Sequence, residues 1–386
     1  ASKEGILQLA LTLFNPLVWL MSNRYMPDLL GLAAALGAFY FLTLRFRVSA
    51  NPFSESVESN GLFAARQDIG FLLLGLLAGI RLSYVPFVLI PAGVAFFMTR
   101  RKGQSAAYAA GGIAVWLIPL IADTGWKALL EAGSRQTGGH FTEFGGTVET
   151  DPDLLVRIVR TLEAVWADGL GGFWPGRNWL TIIVGVGLIV CSIPGFRMIG
   201  DRIRHDRILQ MHLAAWFIYL LWMLLFQNVI YKSRHVLPLL PFAMLILASG
   251  AAELLRSSRW VSRLAAVVFL TAYALVGTAI AIQHIKPTAI AQVKAFVESS
   301  GPPRRVLSIP LVNYYLSVQG VEADYVSIED TAAARALVND SSGFTVIGTY
   351  PHLPLSNPSR SDTFYHNPYV NRMWPEVQVH IYDRED

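Results

Sequence analysis

The sequence predicts a mainly α fold: a polytopic transmembrane helical bundle of about seven spans plus a broken helix pair, with a small C-terminal α/β domain on the extracytoplasmic side. Three observations carry this. The 386 residues are 53% hydrophobic and 15% charged, where soluble domains carry roughly 25% charged residues. The charges avoid several stretches of about 17–22 residues, the length that crosses ~30 Å of hydrocarbon. Past residue 285 the composition turns soluble, and short apolar runs alternate with helical ones. A disordered chain, a fibre and an ordinary cytosolic enzyme are excluded. The division expected is 1–285 for the membrane domain and 286–386 for the soluble one.

The spans expected, in order, are 6–22, 29–46, 105–122, 179–196, 209–226, 235–253 and 261–283. Segment 69–98 differs. It reads GFLLLGLLAGI, then Arg81-Leu82-Ser83-Tyr84, then VPFVLIPAGVAFF. It is too long for one span and too short for two full ones. A continuous tilted helix would leave Arg81 in lipid, which is expensive. Two short helices meeting at Arg81 are expected instead, with the polar backbone there buried in protein or facing a water-filled cavity.

Basic residues set the orientation. Arg45, Arg47, Arg66, Arg100, Arg101, Lys102, Arg197, Arg202, Arg204, Arg207, Arg256, Arg259 and Arg263 fall on one side, and the short loops opposite hold only Arg24, Arg81, Lys232 and Arg234. The first side is therefore cytoplasmic. The assignment works only if 69–98 goes out and returns, so charge and length point to the same hairpin. Any chemistry belongs to the other face.

In the outer loop 123–178, GSRQTGGHFTEFGG is rich in turn formers and is expected to be mobile. DPDLLVRIVRTLEAVWADGL repeats apolar residues at helical spacing, with Asp151 and Asp153 suited to its start. It predicts an amphipathic helix on the membrane surface, either simply packed against the bilayer or gating a substrate. In the tail a helix is expected over 288–300 and strands at RVLSIP (305–310), ADYVSI (323–328), FTVIGTY (344–350) and VQVHIYD (377–383). LVNYYLSVQ and DTAAARALVN are read as the helices between them, giving an α/β domain with some parallel pairing. No G-x-G-x-x-G or P-loop is present, so no cofactor is expected. Cys191 is the single cysteine and lies in an apolar segment, which rules out an intrachain disulfide. The net charge of +4 gives no reason to expect a nucleic-acid partner.

Three groups of residues offer chemistry. Asp28 lies between two spans, at the start of the second, with Arg24 close by. It either caps its helix or acts as a general base or orienter beside a phosphate binder. Arg81, in Arg81-Leu82-Ser83-Tyr84, either reaches for lipid headgroups or holds an anion such as a phosphate. Tyr231-Lys232-Ser233-Arg234-His235 is either an exposed basic turn or a phosphate-binding cluster. No second His or carboxylate stands at ligand spacing near His235, so no metal site is expected. A carboxylate and basic clusters at one membrane face suit a lipid-linked phosphate, whose tail can enter between helices.

In NPLVWLMSNRYMPDLLG (15–31), GLLAGIRLSYVPFVLIP (75–91) and YKSRHVLPLLPF (231–242) the chain resembles the GT-C glycosyltransferases, polytopic enzymes that take a sugar from a polyprenyl-phosphate donor. Protein O-mannosyltransferases and the bacterial lipid A aminoarabinose transferase are members. The resemblance covers about residues 1–285. It implies an inverting hexosyl- or pentosyltransferase of the cell envelope, in a bacterial inner membrane, acting on a glycan, lipid or protein acceptor. Asp28 matches the family's second acid and is the catalytic residue expected here. Arg81 stands where such enzymes often place a basic residue near the donor phosphate, and Lys232 and Arg234 precede a late span in a similar position. The substrate- and phosphate-binding set expected is Arg24, Arg81, Tyr84, Lys232, Arg234 and His235. The family's principal acid lies in an earlier outer loop, so the resemblance also implies that the chain is N-terminally truncated. The runner-up is a flippase or transporter of a lipid-linked sugar, which would use the same groove without chemistry, although such folds usually show paired repeats and none is seen. A non-catalytic membrane scaffold is the third reading.

Overall fold

A computed structural model describes residues 2–22, 27–48, 59–143, 145–229, 232–299, 305–339, 343–355, 357–367 and 375–383. The chain divides into two compact units, Ala1–Thr278 and Ala279–Asp386.

The first unit is helical. Among the described residues six helices are long and apolar enough to cross a membrane, or up to seven if the bent pair Lys3–Leu13 and Pro16–Ser22 is one span. Where a single span over 6–22 is expected, the structure has two helices, α1 and α2, whose axes differ by 51°. The break falls at Asn15, which is fully buried. The Asn15 side chain accepts from the Val18 amide and donates to the Gly169 carbonyl at 2.6 Å and to the Tyr273 hydroxyl at 2.9 Å. An amide that satisfies its bonds inside the bundle, followed by Pro16, ends one helix and starts the next.

Next come α3 (Asp28–Val48), α4 (Ser59–Arg81), a tight turn at Leu82–Tyr84 and α5 (Val85–Met98). By length and composition Arg66–Met98 counts as one apolar stretch, but it folds back on itself. The Gln67 amide donates to the Ala95 carbonyl at 3.1 Å, and the Phe71 and Phe96 rings lie 6.3 Å apart. A straight helix would hold residues 67 and 95 ~42 Å apart. The reversal is at Arg81, whose backbone leaves the helical region (φ −156°, ψ 81°).

The remaining long helices are α6 (Lys102–Thr124), α7 (Trp126–Thr142), α8 (Leu154–Glu163), α9 (Leu180–Ile203), α10 (Arg207–Phe226), α11 (Leu240–Arg256) and α12 (Trp260–Gln283). With the tight turn Ser233–Leu239 before it, α11 is the most enclosed of the spans, and α6 is the most exposed. Small residues bring backbones together, as in membrane bundles. On α9 and α11, a Cβ added to Gly250 would lie 1.8 Å from the Cys191 carbonyl oxygen, and one added to Gly195 would lie 2.2 Å from that of Ile246.

The segment between α6 and α9 is more ordered than its turn-rich composition suggests. GSRQTGGHFT lies in α7, not in a mobile loop. Tertiary contacts override the glycines: His140 meets the Phe226 carbonyl at 2.8 Å, and the Phe141 and Phe226 rings are 6.2 Å apart. The amphipathic helix is present as α8, capped by Asp153, which accepts from the Val156 amide at 3.0 Å. Asp151 does not join it; its carboxylate accepts from the Gly146 amide. Leu154, Leu155, Ile158 and Leu162 of α8 are exposed, whereas Arg157 and Thr161 are buried. A helix that turns its apolar side outward fits an apolar exterior.

The second unit holds α13 (Ala289–Ser299), β1 (Arg305–Ser308), α14 (Pro310–Val318), β2 (Asp324–Ser327), α15 (Thr331–Val338), β3 (Phe344–Ile347), β4 (Arg360–Tyr365) and β5 (Glu376–Tyr382). The sheet order is β2-β1-β3-β5-β4. β1 pairs in parallel with β2 and β3, and β5 pairs antiparallel with β3 and β4. Helices α13 and α14 cover one face and α15 the other. Strand β4 has no counterpart in the sequence reading: RSDTFY is polar, as an exposed edge strand is.

Candidate functional site

Arg81 and Asp28 meet. Arg81 Nη2 lies 2.8 Å from Asp28 Oδ1. Asp28 stands in the first turn of α3 and is fully buried. The close approach depends on Gly31 one turn on, where an added Cβ would lie 2.6 Å from Arg81 Cβ. The Tyr84 ring packs 5.6 Å from the Arg81 guanidinium carbon, a cation–π contact. The Tyr84 hydroxyl donates to the Arg234 carbonyl at 3.1 Å and lies 3.5 Å from Asp28 Oδ1.

The turn is locked to its neighbours. Trp222 Nε1 donates to the Ser83 carbonyl at 3.1 Å, and the Tyr219 hydroxyl donates to the His235 carbonyl at 2.8 Å. Tyr84 and Tyr219 stack edge to face, 6.0 Å between centroids. The α4–α5 reversal, the end of α10 and the segment before α11 are thus one assembly.

Against this assembly lies a cavity of about 390 Å³ whose wall includes Arg81, Ser83, Lys232, Arg234 and His235, with Gln136, Thr137 and His140 contributed by α7. Three cationic side chains face it, and no Asp or Glu lines it among the described residues. Loss of surrounding water, and then the neighbouring charges of Arg234 and Arg81, hold the Lys232 ammonium below the usual lysine pKa. The cavity is therefore electropositive and offers an anion both charge and directed hydrogen bonds.

Asp28 and Tyr84 stand behind this wall and not in it. The carboxylate supports Arg81 from the buried side, so this geometry makes Asp28 a positioning residue for the guanidinium. Arg24 lies outside the described residues. No family model matches the chain, and no curated protein or solved structure matches it. The site must be read from its own groups.

Two contributors were not legible in the sequence. His140 sat in a stretch that reads as a turn-rich loop. The bond from its Nε2 to the Phe226 carbonyl requires a proton on Nε2, which leaves Nδ1 as an acceptor in the neutral ring. Arg157 lies in the stretch that predicts an amphipathic surface helix, and its spacing gives it no role of its own. Instead it is fully buried and donates to the carbonyls of Gly146 at 2.6 Å, Leu224 at 2.8 Å and Gln227 at 3.3 Å. Gln227 lines the cavity, so Arg157 ties the α7–α8 connection to the cavity's edge. Burial pulls its pKa down and nearby Asp151 raises it. Asp168, buried beside the bundle, pairs with Arg177 at 2.5 Å and anchors the segment that follows α8. Among the described residues no three His, Cys, Asp or Glu side chains converge as metal ligands would.

Proposed function

We propose that the chain is an integral membrane glycosyltransferase that moves a sugar from a polyprenyl-phosphate donor to a glycan, lipid or protein acceptor on the extracytoplasmic face of a bacterial inner membrane, as the resemblance to the GT-C enzymes implies. The observation that supports this most is the cation-lined cavity at the Arg81 reversal, set among apolar helices. A lipid phosphate needs such an arrangement: its tail requires hydrocarbon and its headgroup requires Arg and Lys.

In this reading Arg81, Lys232 and Arg234 bind the donor phosphate, and Asp28 and Tyr84 hold Arg81 in place. The acceptor oxygen forms a bond to the anomeric carbon as the bond from that carbon to the phosphate oxygen breaks. The electron pair leaves with the polyprenyl phosphate, where the cations stabilise the growing charge. The acceptor proton passes to His140 Nδ1, a role that Asp28 is too buried to fill directly. Displacement from one side inverts the anomeric centre.

The test is incubation of the full-length protein, reconstituted in liposomes, with radiolabelled polyprenyl-phosphate sugar and a membrane-fraction acceptor. Label on the acceptor, lost in Arg81→Ala and reduced in His140→Ala, is the expected result. A change of sidedness without transfer would establish the flippase reading instead, and neither outcome would leave a scaffold.

A further inference from the structure

The second unit has a feature unrelated to the membrane cavity. Its sheet order places β1 between β2 and β3. After β1 the chain turns to α14, which packs on one face with Val306, Ile347 and Val377. After β3 it turns to the opposite face, where Tyr350, Leu353 and Leu355 join the cluster around α15. Two neighbouring parallel strands whose continuations leave to opposite faces open a crevice at their carboxyl ends, where open α/β sheets bind ligands.

A cavity of about 290 Å³ lies at that point. Its polar wall has a defined sense. The Ser308 and Tyr350 hydroxyls both donate to the Ile347 carbonyl, at 2.9 and 2.8 Å, and lie 3.5 Å from each other; Ser308 is fully buried, so the half-buried Tyr350 oxygen is the one that keeps lone pairs for a ligand. Burial holds the Tyr350 phenol above its usual pKa, so it stays protonated. Along the rim the Thr349 hydroxyl donates to Gln378 Oε1 at 2.9 Å, and Gln378 Nε2 donates to Glu376 Oε1 at 3.2 Å. Gly348, at φ 109°, turns the chain between the two rows; a Cβ there would lie 2.9 Å from the Tyr350 hydroxyl. Ile309 and Val377 add apolar wall, and among the described residues no Lys, Arg or His lines the cavity.

We infer that this crevice is a binding site for an uncharged polyhydroxylated ligand, a single sugar ring in size. A sugar hydroxyl both donates and accepts, which suits a rim of alternating carboxylate, amide and hydroxyl groups. The C–H faces of the ring suit Ile309 and Val377. The volume is at the small end of ligand pockets, about 300–1,000 Å³, and fits one ring. Among the described residues an anionic ligand finds no cation here and meets Glu376. The inference stands whether or not the membrane unit is a transferase.

The test uses the full chain in lipid nanodiscs free of glycoside detergent. Binding of D-glucose, D-galactose, D-mannose and L-arabinose is followed by saturation-transfer NMR and titrated by calorimetry. At least one is expected to bind saturably, without competition from inorganic phosphate, and to weaken about tenfold in Gln378→Ala and in Thr349→Val. Both positions are at the rim, so folding is checked by an unchanged thermal melt, and Glu376→Gln serves as an independent third variant. Absence of saturable binding by all four sugars, retention of wild-type affinity in all three variants, or displacement by phosphate would each overturn the inference.

Discussion

Arg81 Nη2 sits 2.8 Å from an Asp28 carboxylate with no exposed side-chain surface, while the Arg81 side chain keeps 16% of its own. One partner is locked in the bundle and the other reaches the cavity. Removing one member of a buried pair strands the other's charge, at a cost of about 3–5 kcal/mol. Asp28→Ala is therefore expected to destabilise the protein by about 3 kcal/mol in unfolding from mixed micelles. Asp28→Leu combined with Arg81→Leu should regain most of that stability and still transfer no sugar. A single variant as stable as the parent would show that the pair holds nothing together.

On the proposed function, Lys232 should make binding of the donor phosphate sensitive to alkali. Its pKa lies below the ordinary lysine value, chiefly through lost hydration. The ammonium is cationic below that pKa and neutral above it, so affinity for a donor phosphate should be full at neutral pH and fall as pH rises through the lowered value. Equilibrium binding of polyprenyl phosphate against pH should show this decline below the normal lysine range. Lys232→Arg should flatten it, because guanidinium stays charged.

Arg157 satisfies three carbonyls from inside the protein. In Arg157→Met the side chain retains its bulk but not its donors, and the carbonyls of Gly146, Leu224 and Gln227 lose their partner. A loss of about 3 kcal/mol is expected, with faster proteolysis between α7 and α8. Arg157→Lys should recover only part of it, since one ammonium cannot reproduce the fork. Equal protease resistance in the parent and Arg157→Met would count against this anchoring role.

The α9–α11 contact tolerates no methyl group. Gly250→Ala places a Cβ on the Cys191 carbonyl and should lower stability by about 1–3 kcal/mol through overpacking. Gly133→Ala provides the contrast. It lies within α7, a Cβ there meets nothing within 4 Å, and it should be neutral or stabilising by about 0.5–1 kcal/mol. The thermal melt should fall in Gly250→Ala and hold or rise in Gly133→Ala.

The membrane helices and the reversal at Arg81 were legible because hydrocarbon imposes a length, and one arginine inside an apolar run must be accommodated. The soluble strands were legible where they are buried, as in β1 and β3, and illegible in β4, whose edge position asks for no apolar pattern. The break at Asn15 was hidden because local hydropathy continues across it; only distant partners, Gly169 and Tyr273, create it. His140 and Arg157 were hidden for the same reason. Their roles come from contacts with carbonyls around the end of α10, and no spacing rule carries that information. Asp28 and Arg81 were singled out from sequence, and their direct pairing places the acid behind the base instead of beside it in the cavity.

Helix α5 has 14 residues and rises only ~21 Å, well short of the ~30 Å apolar slab. Such a deficit is met by thinning the bilayer locally or by drawing flanking residues toward the interface. Local thinning of this kind beside the reversal would bring headgroup-depth water toward the guanidinium. A long-chain phosphate in the surrounding lipid would then have little vertical distance to climb, and the shortness of one helix would set the depth at which it docks.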